Sequence, residues 1–237
     1  LNIMSAAKQL EEKDPSLAGV LLIGIILAGL GAFLGFLFLA SVAPKSFKSV
    51  ADLQNYLEKN PEPKLLDRSY FEGPRSSGRS WEQKRDALLN GSATTVELSA
   101  GEINAWMAAK FRKPSSAPTG EDDSGIMIIP GVPNFFIDAT EGVFLNLPTE
   151  VTIYGSMNNC LIIAQGHFSA GPQVAFQMDA LHVNDAAIPV LGGLGDQLVG
   201  ALLQAYSQTD EFVAFQQAWQ KVESVELVAD TIRLKLR

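Results

Sequence analysis

The chain has 237 residues, with 18 basic against 26 acidic side chains and a net charge of −8. That balance, with no block of Lys and Arg able to neutralise a run of phosphates, excludes nucleic acid as a partner class. The single cysteine, Cys160, excludes an internal disulfide, and beside the apolar strand pattern of "NNCLIIAQG" it reads as a small core residue.

In chain order the first strong signal is a stretch that carries no charge from Leu17 to Ala43 and is stopped by charged residues on both sides. It exceeds the roughly 20 apolar residues that cross a bilayer as a helix. The pattern predicts a short tail over 1–16 and a transmembrane helix over 17–43. A cleaved signal peptide is the competing reading, because Ser41-Val42-Ala43 resembles a cleavage site. The length of the apolar run, the acids Glu11, Glu12 and Asp14 ahead of it and Pro44 behind it favour a retained span. Within the span Gly24, Ala28 and Ala32 recur every four residues, and Gly31 with Gly35 forms a G-x-x-x-G pair on an adjacent face. Small residues at this spacing let two helix backbones approach closely in lipid. Lys8 and Lys13 before the span are balanced by Lys45 and Lys48 after it, so the positive-inside rule does not set the orientation. A single N-terminal span is expected to leave the tail in the cytoplasm and the large domain on the extracytoplasmic, periplasmic side of a bacterial cytoplasmic membrane.

Residues 44–79 read as a juxtamembrane helix and a connector. "SFKSVADLQNYLEKN" places Phe47, Val50, Leu53 and Leu57 at helical spacing, and Pro61 and Pro63 end the pattern. The Pro-, Gly- and Ser-rich stretch that follows predicts little regular structure. Residues 80–237 read as an extracytoplasmic α+β domain. Ser80 with Gln83, and Ser99 with Glu102, fit capping boxes that open two helices, with "TTVEL" as a strand between them. Residues 112–125 have the composition of a flexible loop. From Ile126 the texture turns to β, with "IMIIP", "NFFIDAT", "GVFLNLP", "EVTIYG", "CLIIAQGHF" and "QVAFQMDALHV" forming an antiparallel meander. The last run reverses its apolar phase, which predicts a bulge near Ala180. Two helices follow, apolar through Leu194, Leu198, Leu202 and Tyr206 and through Phe212, Phe215, Trp219 and Val222, and should cover the sheet. "SVELVADTIRLKLR" alternates as a closing hairpin with Arg233, Lys235 and Arg237 on a wet face. The fold class is therefore α+β, one transmembrane helix followed by a curved antiparallel sheet covered by helices.

Catalytic chemistry has no visible carrier. His167 and His182 are the two histidines, too few for a metal site of three or four convergent ligands. There is no G-x-S-x-G elbow, and no histidine near Cys160 in sequence. Gly193-Leu194-Gly195 lacks the dinucleotide-binding spacing and a P-loop lysine, so these glycines are expected to let helix and sheet approach closely. Asn90-Gly91-Ser92 matches a glycosylation sequon and equally a plain turn after a helix. No catalytic, cofactor-binding or metal residue is assigned, and nothing calls for a cofactor.

The order of elements after Ser80, with an early "ELSAGEINAWM" segment and a terminal "VESVELVADTIRLKL" hairpin, resembles the membrane-anchored extracytoplasmic domains of the YpmS type. These are similar to the tubular lipid-binding and AsmA-like superfamilies. The resemblance covers roughly residues 95–237 and rests on pattern and order. It implies a curved sheet and helices around an apolar groove, and brings no catalytic residues with it.

The leading expectation is a non-enzymatic accessory or scaffolding subunit that docks into a larger membrane protein assembly through Gly24, Ala28, Gly31, Ala32 and Gly35 and through its outer domain. The alternative is a membrane-anchored domain that binds lipid or another hydrophobic ligand, with Phe176, Met178, Leu198, Leu202, Phe215 and Trp219 as candidate lining. Those six serve equally as plain core, which a domain of this size needs in order to fold. Membrane lipids and other membrane subunits are the expected partners.

Overall fold

A computed structural model describes residues 16–60, 69–111, 126–169, 173–189, 193–207 and 209–237. The loop expected over 112–125 and the tail expected over 1–16, apart from Ser16, lie outside the described residues.

The apolar run forms helix α1, Leu17–Ser41. Large apolar side chains on all its faces, among them Leu21, Ile25, Leu30 and Phe33, are exposed. An exposed helix that is apolar all round fits a membrane anchor or a signal sequence. Its length and composition suffice to cross a bilayer.

The chain divides between Phe38 and Leu39 into this helix and a second body. Leu39 and Ala40, from the last turn of the helix, belong to the second body. There the Asn184 side chain donates to the Ala40 carbonyl at 2.5 Å and the Asp185 N–H to that of Leu39 at 3.3 Å. Carbonyls at a helix C-terminus have no partner inside the helix, and this turn supplies one.

The second body is α+β. A six-stranded antiparallel sheet contains β4 (Ile126–Pro130), β5 (Asn134–Asp138), β6 (Gly142–Ile153), β7 (Ser156–Phe168), β8 (Phe176–Val183) and β9 (Ala186–Ile188), in the order β4-β6-β7-β8-β9 with β5 also on β6. It is not strongly curled. The runs "GVFLNLP" and "EVTIYG", separate in the sequence reading, are one strand. Pro148 lies where the partner of β6 changes from β5, which pairs through Asn146, to β4, which begins at Thr149. N–H and C=O of one strand residue point to the same side, and the Pro148 carbonyl takes the Gly131 N–H at 2.6 Å. The missing proline N–H therefore falls at the β4–β5 link, where no ladder bond is needed. The bulge expected near Ala180 is present, since Gln165 pairs with Ala180 while Gly166 pairs with Met178.

The closing hairpin, β10 (Val222–Val228) and β11 (Thr231–Leu236), forms a separate three-stranded sheet with β3 (Thr95–Ser99) in the order β10-β11-β3. Ile232, Leu234 and Leu236 are buried, while Arg233 bonds outward to Glu97 and Glu226. Helix α4 (Ala100–Lys110) opens with the expected capping box of Ser99 and Glu102. The box expected at Ser80 is absent. Helix α3 (Ser80–Asn90) starts behind Arg79 without a side-chain cap, and the Ser80 hydroxyl instead donates to Glu102 at 2.6 Å. Gly91 ends α3 at φ 65°, so Asn90-Gly91 is a helix-terminating turn.

Both faces of the large sheet are covered where β5 pairs with β6, while residues 156–159 at the β6–β7 hairpin end are exposed. Adjacent strand residues point to opposite faces, so Phe135 joins the main core while Phe136 joins Phe71, Phe144 and Ile163 in a second cluster. Phe47, Val50 and Leu53 pack on that second cluster from β1 (Lys45–Phe47) and α2 (Val50–Lys59). The connector is thus less irregular than its composition predicts, because β2 (Ser69–Phe71) pairs in parallel with β1. Helices α5 (Leu194–Gln204) and α6 (Asp210–Trp219) contribute to the main core.

Asn184 is 4% exposed and stands at φ 51°. Its side chain receives the Leu161 N–H at 2.7 Å as well as donating to Ala40. Asn184→Ala should lower the stability of the second body by about 2 kcal/mol, the worth of stranding buried polar groups. The readout is an earlier urea midpoint with an unchanged m-value.

Candidate functional site

The main core is not solid. Between the two sheets and helices α3 to α6 lies an apolar cavity of about 600 Å³. Helix α4 supplies Ile103, Trp106 and Met107 to its wall; its first eight residues are buried on every face, so this helix is core throughout. The strands supply Leu98, Phe135, Val143, Leu145, Phe168, Phe176, Ile232 and Leu234, and the helices after the meander supply Val199, Leu203, Phe212, Phe215 and Trp219.

Aromatic rings organise the wall. Phe176, Phe168, Trp219, Phe215 and Trp106 form a continuous row with successive centroids 5.6, 5.6, 5.6 and 5.9 Å apart. A second group joins Tyr206, Phe111 and Phe212 at 5.8 and 6.5 Å. Such spacings favour edge-to-face and offset contacts. The polar atoms on these rings are committed to protein partners. Trp106 Nε1 donates to Glu211 at 2.5 Å, Trp219 Nε1 donates to the Val174 carbonyl at 3.1 Å, and the Tyr206 hydroxyl donates to the Gly131 carbonyl. Burial pushes the Tyr206 phenol well above its ordinary range.

Polar groups outside the cavity fix its walls. Arg85 on α3 donates to both oxygens of Glu211 through Nε and Nη2, each at 2.5 Å. Burial pushes the Glu211 carboxyl up, and the bonds from Arg85 and Trp106 more than offset it, leaving the group below the ordinary carboxylate range. Glu102 repeats the pattern: burial raises its carboxyl, and Lys84, Ser80 and the Ser99 N–H bring it below the ordinary range. Asn104 on α4 closes the outer edge of β5. Its amide donates to the Phe135 carbonyl at 2.8 Å and its oxygen receives the Phe135 N–H at 2.6 Å. The close approach requires Gly73, where an added Cβ would lie 1.7 Å from the Phe135 oxygen.

Of the candidate groove residues, Phe176, Phe215 and Trp219 line the cavity. Leu198 and Leu202 face a separate space of about 90 Å³ with Ile128 and Pro130. Met178 lines neither and packs against Gly195, where helix and sheet meet as closely as the glycines predict. The residues of α3, α4 and β3 on the wall were missed. The available signal was "AGEINAWMA", apolar on too many faces for a surface helix. Gly24, Ala28, Gly31, Ala32 and Gly35 are all exposed on α1.

Other chemistry is sparse. Among the described residues no three His, Cys, Asp or Glu converge on a metal-sized site. His167 is exposed and pairs with Asp179 at 2.8 Å and Gln177 at 3.1 Å. Cys160 is partly buried, which pushes its thiol up and away from the reactive thiolate. No family model, no curated protein and no solved structure matches the chain.

Glu211→Gln should destabilise the fold by about 3 kcal/mol at neutral pH by breaking a buried ion pair. A carboxyl whose pKa is lowered on folding contributes fully above its unfolded value, and that contribution is lost as pH falls through the folded value. The difference between Glu211→Gln and the native chain should therefore shrink from the ordinary carboxylate range downward in denaturant titrations at decreasing pH.

Proposed function

We propose that this is a non-enzymatic, membrane-anchored protein whose extracytoplasmic α+β domain binds a hydrophobic ligand of the lipid class in the cavity between its sheets and helices. The cavity carries this reading. Its volume of about 600 Å³ falls within the range of about 300–1,000 Å³ for small-molecule sites, and no charged residue lines it. The apolar wall is reached by solvent through the mouth, and covering it with hydrocarbon is favourable by about 25 cal/mol per Å² of apolar surface removed from water. Water is a poor filler, because an apolar wall offers it few hydrogen-bonding partners. A hydrocarbon chain fits this chemistry, and a membrane anchor keeps the domain beside a supply of such chains. The resemblance to YpmS-type domains implies the same groove.

A second reading is an accessory or scaffolding subunit held in a larger assembly through α1. It is favoured by the small residues of the span, since a Cβ built at Gly24, Gly31 or Gly35 meets nothing within 4 Å and leaves room for another helix. The two readings respond to different substitutions.

Native mass spectrometry of the chain drawn from its own membranes in mild detergent separates them. The expected result is a lipid-sized adduct that persists in Gly31→Leu and falls more than tenfold in Leu203→Trp, which fills the cavity while keeping the melting temperature at or above that of the native chain. A native chain that travels without adducts, but with protein subunits lost in Gly31→Leu, would reject lipid binding in favour of the accessory role.

A further inference from the structure

Resting on the cavity reading, we infer that the ligand is a lipid with an uncharged, hydrogen-bonding head, of the monoacylglycerol, long-chain alcohol or fatty-amide class, its head held by Gln173, Gln216 and Gln220. These three are the lining residues whose side-chain amides make no hydrogen bond among the described residues, in contrast to the committed Tyr206, Trp106 and Trp219. They also collect in one place. Gln216 and Gln220 stand four residues apart at the end of α6, on either side of Trp219 in sequence. Gln173 adjoins Val174, whose carbonyl takes the Trp219 N–H. All three are exposed, so they mark the mouth of the cavity, beside Trp219 at the middle of the aromatic row, one arm of which runs through Phe215 to the buried Trp106. A chain entering tail first along that row leaves its head among the three amides.

The amides set the head chemistry. Each offers both donors and an acceptor, which suits a hydroxyl, ester or amide. A carboxylate or phosphate at the same position would meet amide donors but no cation on the lining, and could not use the amide donors and acceptor together as a hydroxyl or amide head does. Lys221, next to Gln220, points its Nζ toward Gly91, 3.4 Å from the Cβ position there, and is not part of the wall. The net charge of −8 adds long-range repulsion of anionic heads.

The test offers the full chain, in mild detergent at neutral pH, an equimolar mixture of a monoacylglycerol, a fatty acid and a monoalkyl phosphate matched in chain length, and compares adducts by native mass spectrometry. The monoacylglycerol adduct should exceed each anionic one by about fivefold or more, the worth of one net hydrogen bond. The ratio should fall toward one in Gln216→Leu/Gln220→Leu, and Gln216→Lys should reverse it. Both positions are exposed, and unchanged melting temperatures would verify that the variants fold. An anionic preference in the native chain, or a ratio that the double substitution leaves unchanged, overturns the head assignment while leaving the hydrocarbon site in place. No adduct with any of the three overturns the cavity reading itself.

Discussion

The Glu211 carboxylate receives hydrogen bonds from Arg85 and from the Trp106 indole while only 9% of the residue is exposed. A carboxylate in that position survives in its charged form because each oxygen is met by a donor, and it would destabilise the fold if either partner were lost. Its three hydrogen bonds come from two elements, two from α3 and one from α4, so α6 is tied to both at one point. Trp106 on α4 and Phe215 on α6 line the cavity close to that point.

The same logic appears on the strand side. β5 pairs with a neighbour along one edge, and its other edge is finished by Asn104 and by the reciprocal bonds of Asn134 with the Gly73 backbone, at 2.8 and 3.0 Å. These amides act as a partial strand. They hold Phe135 against the cavity without the bulk that a further paired strand would bring. The charged groups thus pair with one another outside the wall, and no charged residue lines the inside.

Much of this fold was legible in the sequence because it rests on local rules. The charge-free run gave α1, the Ser99 and Glu102 spacing gave α4, and the reversed phase around Ala180 gave the bulge. What was not legible depends on distant partners. Ser80 fits a capping box by spacing, yet its hydroxyl is taken by Glu102, twenty-two residues away. Ser69–Phe71 sits in a turn-rich stretch and becomes a strand because β1 offers an edge. The site follows the same division. Phe176, Phe215 and Trp219 could be found from periodicity, whereas the Arg85 to Glu211 brace spans 126 positions and has no local signature. Met178, Leu198 and Leu202 share the apolar character of the lining, yet Met178 packs at Gly195 while Leu198 and Leu202 face Ile128 and Pro130, partners that periodicity does not reveal.

The three-stranded sheet joins residues that are far apart in the chain: β3 pairs with β11, and Glu97 and Arg233 meet across 136 positions. Most of the cavity wall, from α4 through α6, lies between these two strands in sequence, and Leu98, Ile232 and Leu234 on the strands themselves also line it. Closing a loop of that length is entropically costly and slow. A growing chain therefore cannot enclose its cavity until Thr231–Leu236 has left the ribosome and reached β3. Up to that moment the aromatic row stays open to its surroundings, so the apolar surface is most exposed in the interval between synthesis of the helices and arrival of the last strand.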